Sequence, residues 1–210
     1  MKELNLNTIL EFGCGGGWNL LPFYKNGYAV TGYEYSHNLV KLGRPYGLNL
    51  RQGSFAEMSA TNDKYDVIII NHVIEHFTDF FNNMTSILQH LNTNGILYAG
   101  VPNIDNFGKG QFQNAHIYYF SPRTFNYYMK MLGLEVLEFD TVQTIHMFGV
   151  YKLITNALIE KNQLSSEYDL MKTKIAKSKL RSTIVSFLEK IGIKKPVKSL
   201  IGFLKNRKPK

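Results

Sequence analysis

The chain has little of what would place it outside the cell or inside a membrane. Its 210 residues include one cysteine, Cys14. No disulfide framework can form, so a reducing compartment is expected. No run of about 18 apolar residues occurs, so no segment reads as a membrane-spanning helix. The opening Met1-Lys2-Glu3-Leu4-Asn5 has no apolar signal core. Acids are scarce in the tail, where bases are dense. Residues 172–210 hold 13 Lys and Arg against the single acid Glu189, whereas residues 1–171 hold 11 Lys and Arg against 15 Asp and Glu. The net charge of +8 therefore comes from the tail, and the mildly acidic body argues against a nucleic-acid partner. The length suits one sizeable α/β domain and is too short for two.

The apolar pattern predicts strands at Thr8–Phe12, Tyr28–Tyr33, Leu48–Arg51, Tyr65–Ile70 and Gly95–Val101, with two more near 134–142 and 144–152 forming a hairpin. Tyr65–Ile70 is continuously apolar after Asp66, as expected of a strand covered on both faces. Helices are expected over Trp18–Lys25 and Ser36–Arg44. A third is capped by Thr78 or Asp79, has Phe81, Ile87, Leu88 and Leu91 on its inner side, and ends at Asn94-Gly95. A fourth starts at Ser121-Pro122. Alternating strands and helices followed by a hairpin imply a doubly wound, mainly parallel α/β sheet, whose ligands bind beyond the carboxyl ends of the strands. The glycine loop, Glu34, Ser54, Asn71 and Pro102 all fall at such ends.

The loop Glu11-Phe12-Gly13-Cys14-Gly15-Gly16-Gly17 turns sharply and lets a ligand approach backbone without a Cβ in the way. A dinucleotide fingerprint would need glycine at position 18, where Trp18 stands. The spacing found is acid-x-G-x-G-x-G. It resembles the first motif of class I S-adenosylmethionine-dependent methyltransferases, which implies a seven-stranded Rossmann-like sheet and that cofactor. The resemblance implies that Glu11, Gly13, Cys14, Gly15 and Gly17 face its amino-acid part. Glu34 would hold the ribose hydroxyls, with Tyr35 beside it; a carboxylate can accept from both hydroxyls. Ser54 and Phe55 fall at the adenine contacts, although many members have Asp where Ser54 stands. Asn71 and His72 would close the floor of the cofactor site. Cys14 reads as a small buried residue, since nothing nearby would activate a thiolate.

Asn71-His72-Val73-Ile74-Glu75-His76 resembles the V-x-E-H segment of a branch that includes ubiquinone-pathway and sugar-modifying O-methyltransferases. His116-Ile117-Tyr118-Tyr119-Phe120-Ser121 resembles its H-x-x-x-F-S segment, and the likeness runs over about residues 8–150. Three readings of this cluster stay open. His76 or His116 takes the acceptor's proton, since a near-neutral imidazole suits an alcohol. Alternatively His72, Glu75, His76 and His116 hold a divalent metal, with three histidines suiting Zn²⁺ or Mn²⁺ better than Mg²⁺. In the third reading the pair Glu75-His76 only organises the cofactor floor.

The segment from Pro102 to Phe120 reads as a substrate cover, with Phe107, Phe112, Tyr118 and Tyr119 either facing an acceptor or packing on one another. The expected activity is O-methylation of a small hydroxylated acceptor, a sugar or glycan precursor among them, by a cytoplasmic enzyme. The alternatives are an inactive methyltransferase-like subunit that recruits a partner, or a metal-dependent RNA ribose methyltransferase. Residues 1–152 would form the catalytic domain and 153–210 a basic helical extension. In that extension Leu180, Ile184, Phe187, Leu188 and Ile191, then Val197, Leu200, Ile201 and Leu204, follow helical spacing. Such helices suit an anionic membrane surface, a protein partner, or packing on their own domain.

Overall fold

Strands form where the apolar runs fall, and they pair in the order that a doubly wound sheet requires. A computed structural model of the chain describes residues 6–106, 113–141, 145–154 and 183. The strands are β1 (Thr8–Phe12), β2 (Ala29–Glu34), β3 (Asn49–Gln52), β4 (Tyr65–Asn71), β5 (Leu91–Pro102), β6 (Leu134–Asp140) and β7 (His146–Leu153). They make one seven-stranded sheet in the order β3-β2-β1-β4-β5-β7-β6. The first five are parallel, and β7 runs antiparallel to both β5 and β6.

The helices are α1 (Leu21–Lys25), α2 (His37–Gly43), α3 (Phe55–Ser59), α4 (Phe80–Leu88) and α5 (Pro122–Met131). The pleat sends alternate residues to opposite faces. Leu10, Ile68, Ile70 and Leu97 join a large core with Phe80, Met84, Ile87, Phe125, Met129 and Tyr151. Ile9, Val67 and Ile69 join a smaller one with Leu20, Val40, Leu48 and Leu50. Asp66 ties three strands together at the amino end of the sheet. It accepts hydrogen bonds from the Asn7 and Thr8 amides, the Thr8 hydroxyl and the Asn92 side chain. Burial alone would raise its pKa, but the donors from Asn7, Asn92 and Thr8 outweigh that and hold it at about 2.

Several boundaries differ from the sequence expectations. The first helix starts at Leu21 rather than Trp18, because residues 15–20 are spent in the turns that leave the glycine loop. Asp79 is the cap of α4, accepting from the Asn82 amide. The inward residue is then Phe80, with Met84, Ile87 and Leu88, while Phe81 is 36% exposed. That helix ends at Leu88 instead of Asn94-Gly95, and Leu91 already pairs with Tyr65 as strand. Helix α3 was not expected. Ser54 and Glu57 form a capping box that starts it.

Compact packing divides the chain into residues 1–107 with 113–161, and residues 108–112 with 162–210. The expectations for Phe107, Phe112, the hairpin turn at 142–144 and the basic extension concern residues outside the described ones, apart from Leu153, Ile154 and Thr183. Among the described residues no helix is long and apolar enough to cross a membrane.

Candidate active site

The site lies where β1, β2, β4 and β5 end. Glu11 closes β1 and is 1% exposed. Asn19 donates to its Oε1 at 2.7 Å, while its Oε2 is buried and has no hydrogen-bond partner among the described residues. Burial pushes the Glu11 carboxyl up to about 7. The Asn19 hydrogen bond opposes this, and the Glu34 charge adds to it. A buried acceptor of this kind is what a ligand ammonium group would satisfy.

Beyond Glu11 the chain turns through Gly13 and Gly15, whose φ angles of 73° and 55° lie in the left-handed region. A Cβ on Gly13 would lie 2.4 Å from Val73 Cγ2, whereas one on Gly15 would meet nothing within 4 Å. The loop thus packs tightly against the β4 exit on one side and leaves open space at Gly15 for a ligand. Gly13 and Cys14 donate their amides to the Tyr33 carbonyl, and the Gly17 amide donates to Cys14. Burial, then the Glu11 and Glu34 charges, push the Cys14 thiol up to about 12, so it is a packed thiol and not a nucleophile.

Glu34 closes β2. Its Oε2 accepts from the Gly15 amide at 2.8 Å and its Oε1 from the Ser36 amide at 2.8 Å. Each oxygen keeps a second lone pair, enough for the two hydroxyls of a ribose. Beside it opens a cavity of about 530 Å³ lined by Tyr35, Ser36, His37, Gln52, Gly53, Ser54 and Glu57. Ser54 spends its hydroxyl on the α3 cap, accepting from the Ala56 amide and bonding Glu57. Phe55 packs edge-on against Phe12 at 6.0 Å. The orphaned acid, the open glycine loop, the doubly held Glu34 and this cavity fit the parts of S-adenosylmethionine in the order the sequence expects.

At the β4 exit, Asn71 Oδ1 is buried without a hydrogen-bond partner among the described residues, and only a glycine at position 100 leaves room for it. His72 follows with φ 56°, the one non-glycine among the described residues in the left-handed region. Such strain collects at functional sites. Its amide donates to Gly100, its Nδ1 lies 3.4 Å from Glu75 Oε1, and its ring meets His146 edge-on at 4.4 Å.

Glu75 sits in a 3-10 turn, Ile74–His76, and is 1% exposed. Its carbonyl accepts the Ile117 and Tyr118 amides, which pins the 113–120 segment over the turn. Its Oε1 is 4.0 Å from His116 Nε2, and its Oε2 has no hydrogen-bond partner among the described residues. His76 and His116 stack edge-on at 4.8 Å. Burial lowers the His116 pKa, Glu75 pulls it back, and His76 and His72 lower it further, so the ring is neutral at neutral pH. His76 Nδ1 lies 2.9 Å from the Ala115 carbonyl. That carbonyl can only accept, so Nδ1 carries a proton, and in the neutral ring Nε2 is the nitrogen with the lone pair. One ligand atom each from Glu75, His76 and His116 lie within 4.8 Å of one another. His72 joins this group only through Glu75. Tyr118 packs inward, stacked on Phe120 at 5.5 Å, while Tyr119 donates its hydroxyl to the Gln113 carbonyl.

The sequence profile of the family described as "Methyltransferase domain" matches residues 2–139. The chain belongs to this methyltransferase family. Curated relatives include the ubiquinone biosynthesis O-methyltransferase of Rickettsia typhi, 28% identical over 181 residues, covering 80% of this chain and 72% of that protein. The protein of the same name from Rickettsia prowazekii is 27% identical over 179 residues, covering 80% and 70%. Among solved structures, a SAM-dependent methyltransferase from Archaeoglobus fulgidus superposes with a TM-score of 0.59 at 14% identity, over 70% of this chain and 86% of that one. A complex of DhpI with S-adenosylhomocysteine superposes with a TM-score of 0.58 at 16% identity, over 71% and 78%. The likeness is one of fold, which in this chain is the seven-stranded sheet with antiparallel last strands.

Two site residues escaped the sequence reading. Asn19, which holds Glu11, lies in a turn with no motif of its own. His146 reaches His72 only because antiparallel β7 runs beside β5, and no local pattern announces that pairing.

Proposed function

We propose that this methyltransferase uses S-adenosylmethionine to methylate a hydroxyl of a small acceptor, with His76 as general base. The acceptor oxygen attacks the methyl carbon in line, the carbon–sulfur bond breaks, and the electron pair leaves on sulfur as S-adenosylhomocysteine. The hydroxyl proton passes to His76 Nε2. The observation that supports the base assignment is the His76 Nδ1 contact to the Ala115 carbonyl, which in the neutral ring leaves the lone pair on Nε2. A neutral His116 beside it keeps a second positive charge away from the sulfonium. The hydroxyl as target is supported by the names of the Rickettsia relatives, which are O-methyltransferases.

His76→Ala tests this reading. It should lower kcat by about 10²–10⁴-fold while leaving S-adenosylhomocysteine affinity unchanged. Wild-type turnover by the variant would end it.

A second reading rests on the closeness of Glu75, His76 and His116. Two histidines and a buried carboxylate suit Zn²⁺ or Mn²⁺, which would bind and polarise the acceptor oxygen. Activity lost to a chelator and restored by one of these ions would favour it over the base.

A further inference from the structure

The cavity beside Glu34 has an acid in its wall that no cofactor motif marks. Ser54, which stands where a base contact is expected, has no hydroxyl to give. Its oxygen accepts from the Ala56 amide at 3.2 Å, and its hydrogen goes to Glu57 Oε2. The Ser54 amide also donates to Glu57 Oε2, at 2.8 Å. This reciprocal box fixes Glu57 in the first turn of α3. Glycine at position 53 makes room for it, since a Cβ there would crowd Glu57 Cβ at 3.1 Å. The Gly53 amide donates to the Glu34 carbonyl at 3.1 Å, so the box stands at the same strand ends as Glu34.

The wall therefore offers a ligand one strong acceptor and one donor. Both Ser54 bonds go to Glu57 Oε2, which leaves the Oε1 lone pairs for a donor in the cavity. The Ser54 hydroxyl first, then the Glu57 and Ser54 amides, hold the Glu57 carboxyl below the usual carboxylate range, so it is ionised at neutral pH. Gln52 lines the same cavity, and its Oε1 lies 2.9 Å from His37 Nδ1. That contact occupies the Gln52 oxygen and leaves its amide hydrogens for the ligand. No lysine or arginine is among the lining residues, so nothing offsets the carboxylate. Adenine matches this pattern, because its 6-amino group donates and the ring nitrogen beside it accepts. A 6-oxo purine reverses it and sets an oxygen against the carboxylate.

We infer that Glu57, held in place by Ser54, selects the 6-amino purine of the methyl donor, with the Gln52 amide as the donor beside it; this role rests on the cavity taking the adenosine of S-adenosylmethionine. The acid has moved three residues along the chain, from the strand end where Ser54 stands to the first turn of α3. Ser54 then acts through Glu57 and is a positioning residue.

Titration calorimetry of the full chain tests this with S-adenosylhomocysteine, S-inosylhomocysteine and the analogue whose purine lacks the 6-amino group. Wild type should bind S-adenosylhomocysteine about tenfold more tightly than the analogue without the amine, and should bind the 6-oxo ligand more weakly still. Glu57→Gln keeps the capping box, because either residue serves at that position, so the melting temperature should hold. The variant's side-chain oxygen stays on Ser54, and an amide nitrogen takes the place of Oε1, a donor where an acceptor stood. It should bind S-adenosylhomocysteine about tenfold more weakly and the 6-oxo ligand at least as well as S-adenosylhomocysteine. Equal wild-type affinity for the three ligands, or a Glu57→Gln variant that keeps the wild-type order, overturns the role of Glu57 while leaving the cofactor site standing. Glu34→Gln should weaken all three ligands alike. If it leaves S-adenosylhomocysteine affinity unchanged, adenosine does not lie in this cavity, and the role of Glu57 falls with that placement.

Discussion

Replacing Glu11 by Gln tests the cofactor half of the site more sharply than any other change. Glu11 is buried, its Oε2 lacks a partner among the described residues, and its pKa is raised from 4.5 to about 7. The sign follows from linkage. A carboxyl whose folded pKa is raised costs the ligand-free chain stability as pH climbs from 4.5 toward 7, because ionisation is easier in the unfolded chain. The same group binds a ligand ammonium only when ionised. Its ionised fraction is about one tenth at about pH 6 and about three quarters at about pH 7.5, while an α-ammonium of pKa about 7.8 stays mostly charged throughout. S-adenosylhomocysteine affinity, measured by titration calorimetry, should therefore be about sixfold weaker at about pH 6 than at about pH 7.5. Glu11→Gln should flatten that dependence. It should also weaken binding at about pH 7.5 by roughly ten- to a hundredfold, the loss of one charge-assisted hydrogen bond of about 1.5–3 kcal/mol. A wild-type affinity that does not change over this range, or a Gln variant that keeps the slope, would refute the placing of the ammonium at Glu11.

Three further outcomes follow from the geometry. Gly13→Ala needs a Cβ at φ 73° and 2.4 Å from Val73 Cγ2, so it should cost at least about 1–2 kcal/mol in urea unfolding and weaken cofactor binding. Phe80→Ala empties a site at the centre of an aromatic cluster that is 1% exposed, and should cost about 3–5 kcal/mol, whereas Phe81→Ala should cost clearly less. Asp66 has its pKa held down at about 2, so the stability it supplies is full above 3.8 and is lost as pH falls through 2. Asp66→Asn should remove that part of the acid transition and, for a partly exposed group, cost about 1–2 kcal/mol at neutral pH.

The strands and the glycine-loop unit are legible in the sequence because their signals are local. Val67–Ile70 is an unbroken apolar run after Asp66, and Glu11, the glycines and Glu34 sit within one strand–turn–helix–strand unit. Helix ends were less readable. Phe80 and Phe81 are adjacent and equally apolar, and only the cap at Asp79 decides which one turns inward. Leu91 continues the helical spacing of Ile87 and Leu88, yet its pairing with Tyr65 claims it for the sheet. Ser54 was readable as a residue at a strand end but not as a cap, since Ser54-Phe55-Ala56-Glu57 opens a helix of only five residues with no apolar period to flag it. The cluster around Glu75 was half readable. His72, Glu75, His76 and His116 stand in recognisable segments, whereas the left-handed backbone at His72 and the approach of His146 are products of tertiary packing.

The strand order has a consequence for how the protein is made. Each of the strands β2 to β5 leaves the ribosome with one neighbour already present, so the half that holds Glu11, the glycine loop and Glu34 can assemble as it is synthesised. Strand β6 then emerges before β7, the only strand to which it is joined. Until residue 153 is out, β6 has no partner and β5 is an open edge, the arrangement most prone to wrong pairing. His146 arrives in that last step and takes its place against the His72 ring. A nascent chain released at about that point would hold the glycine loop and Glu34 before His72 had met His146.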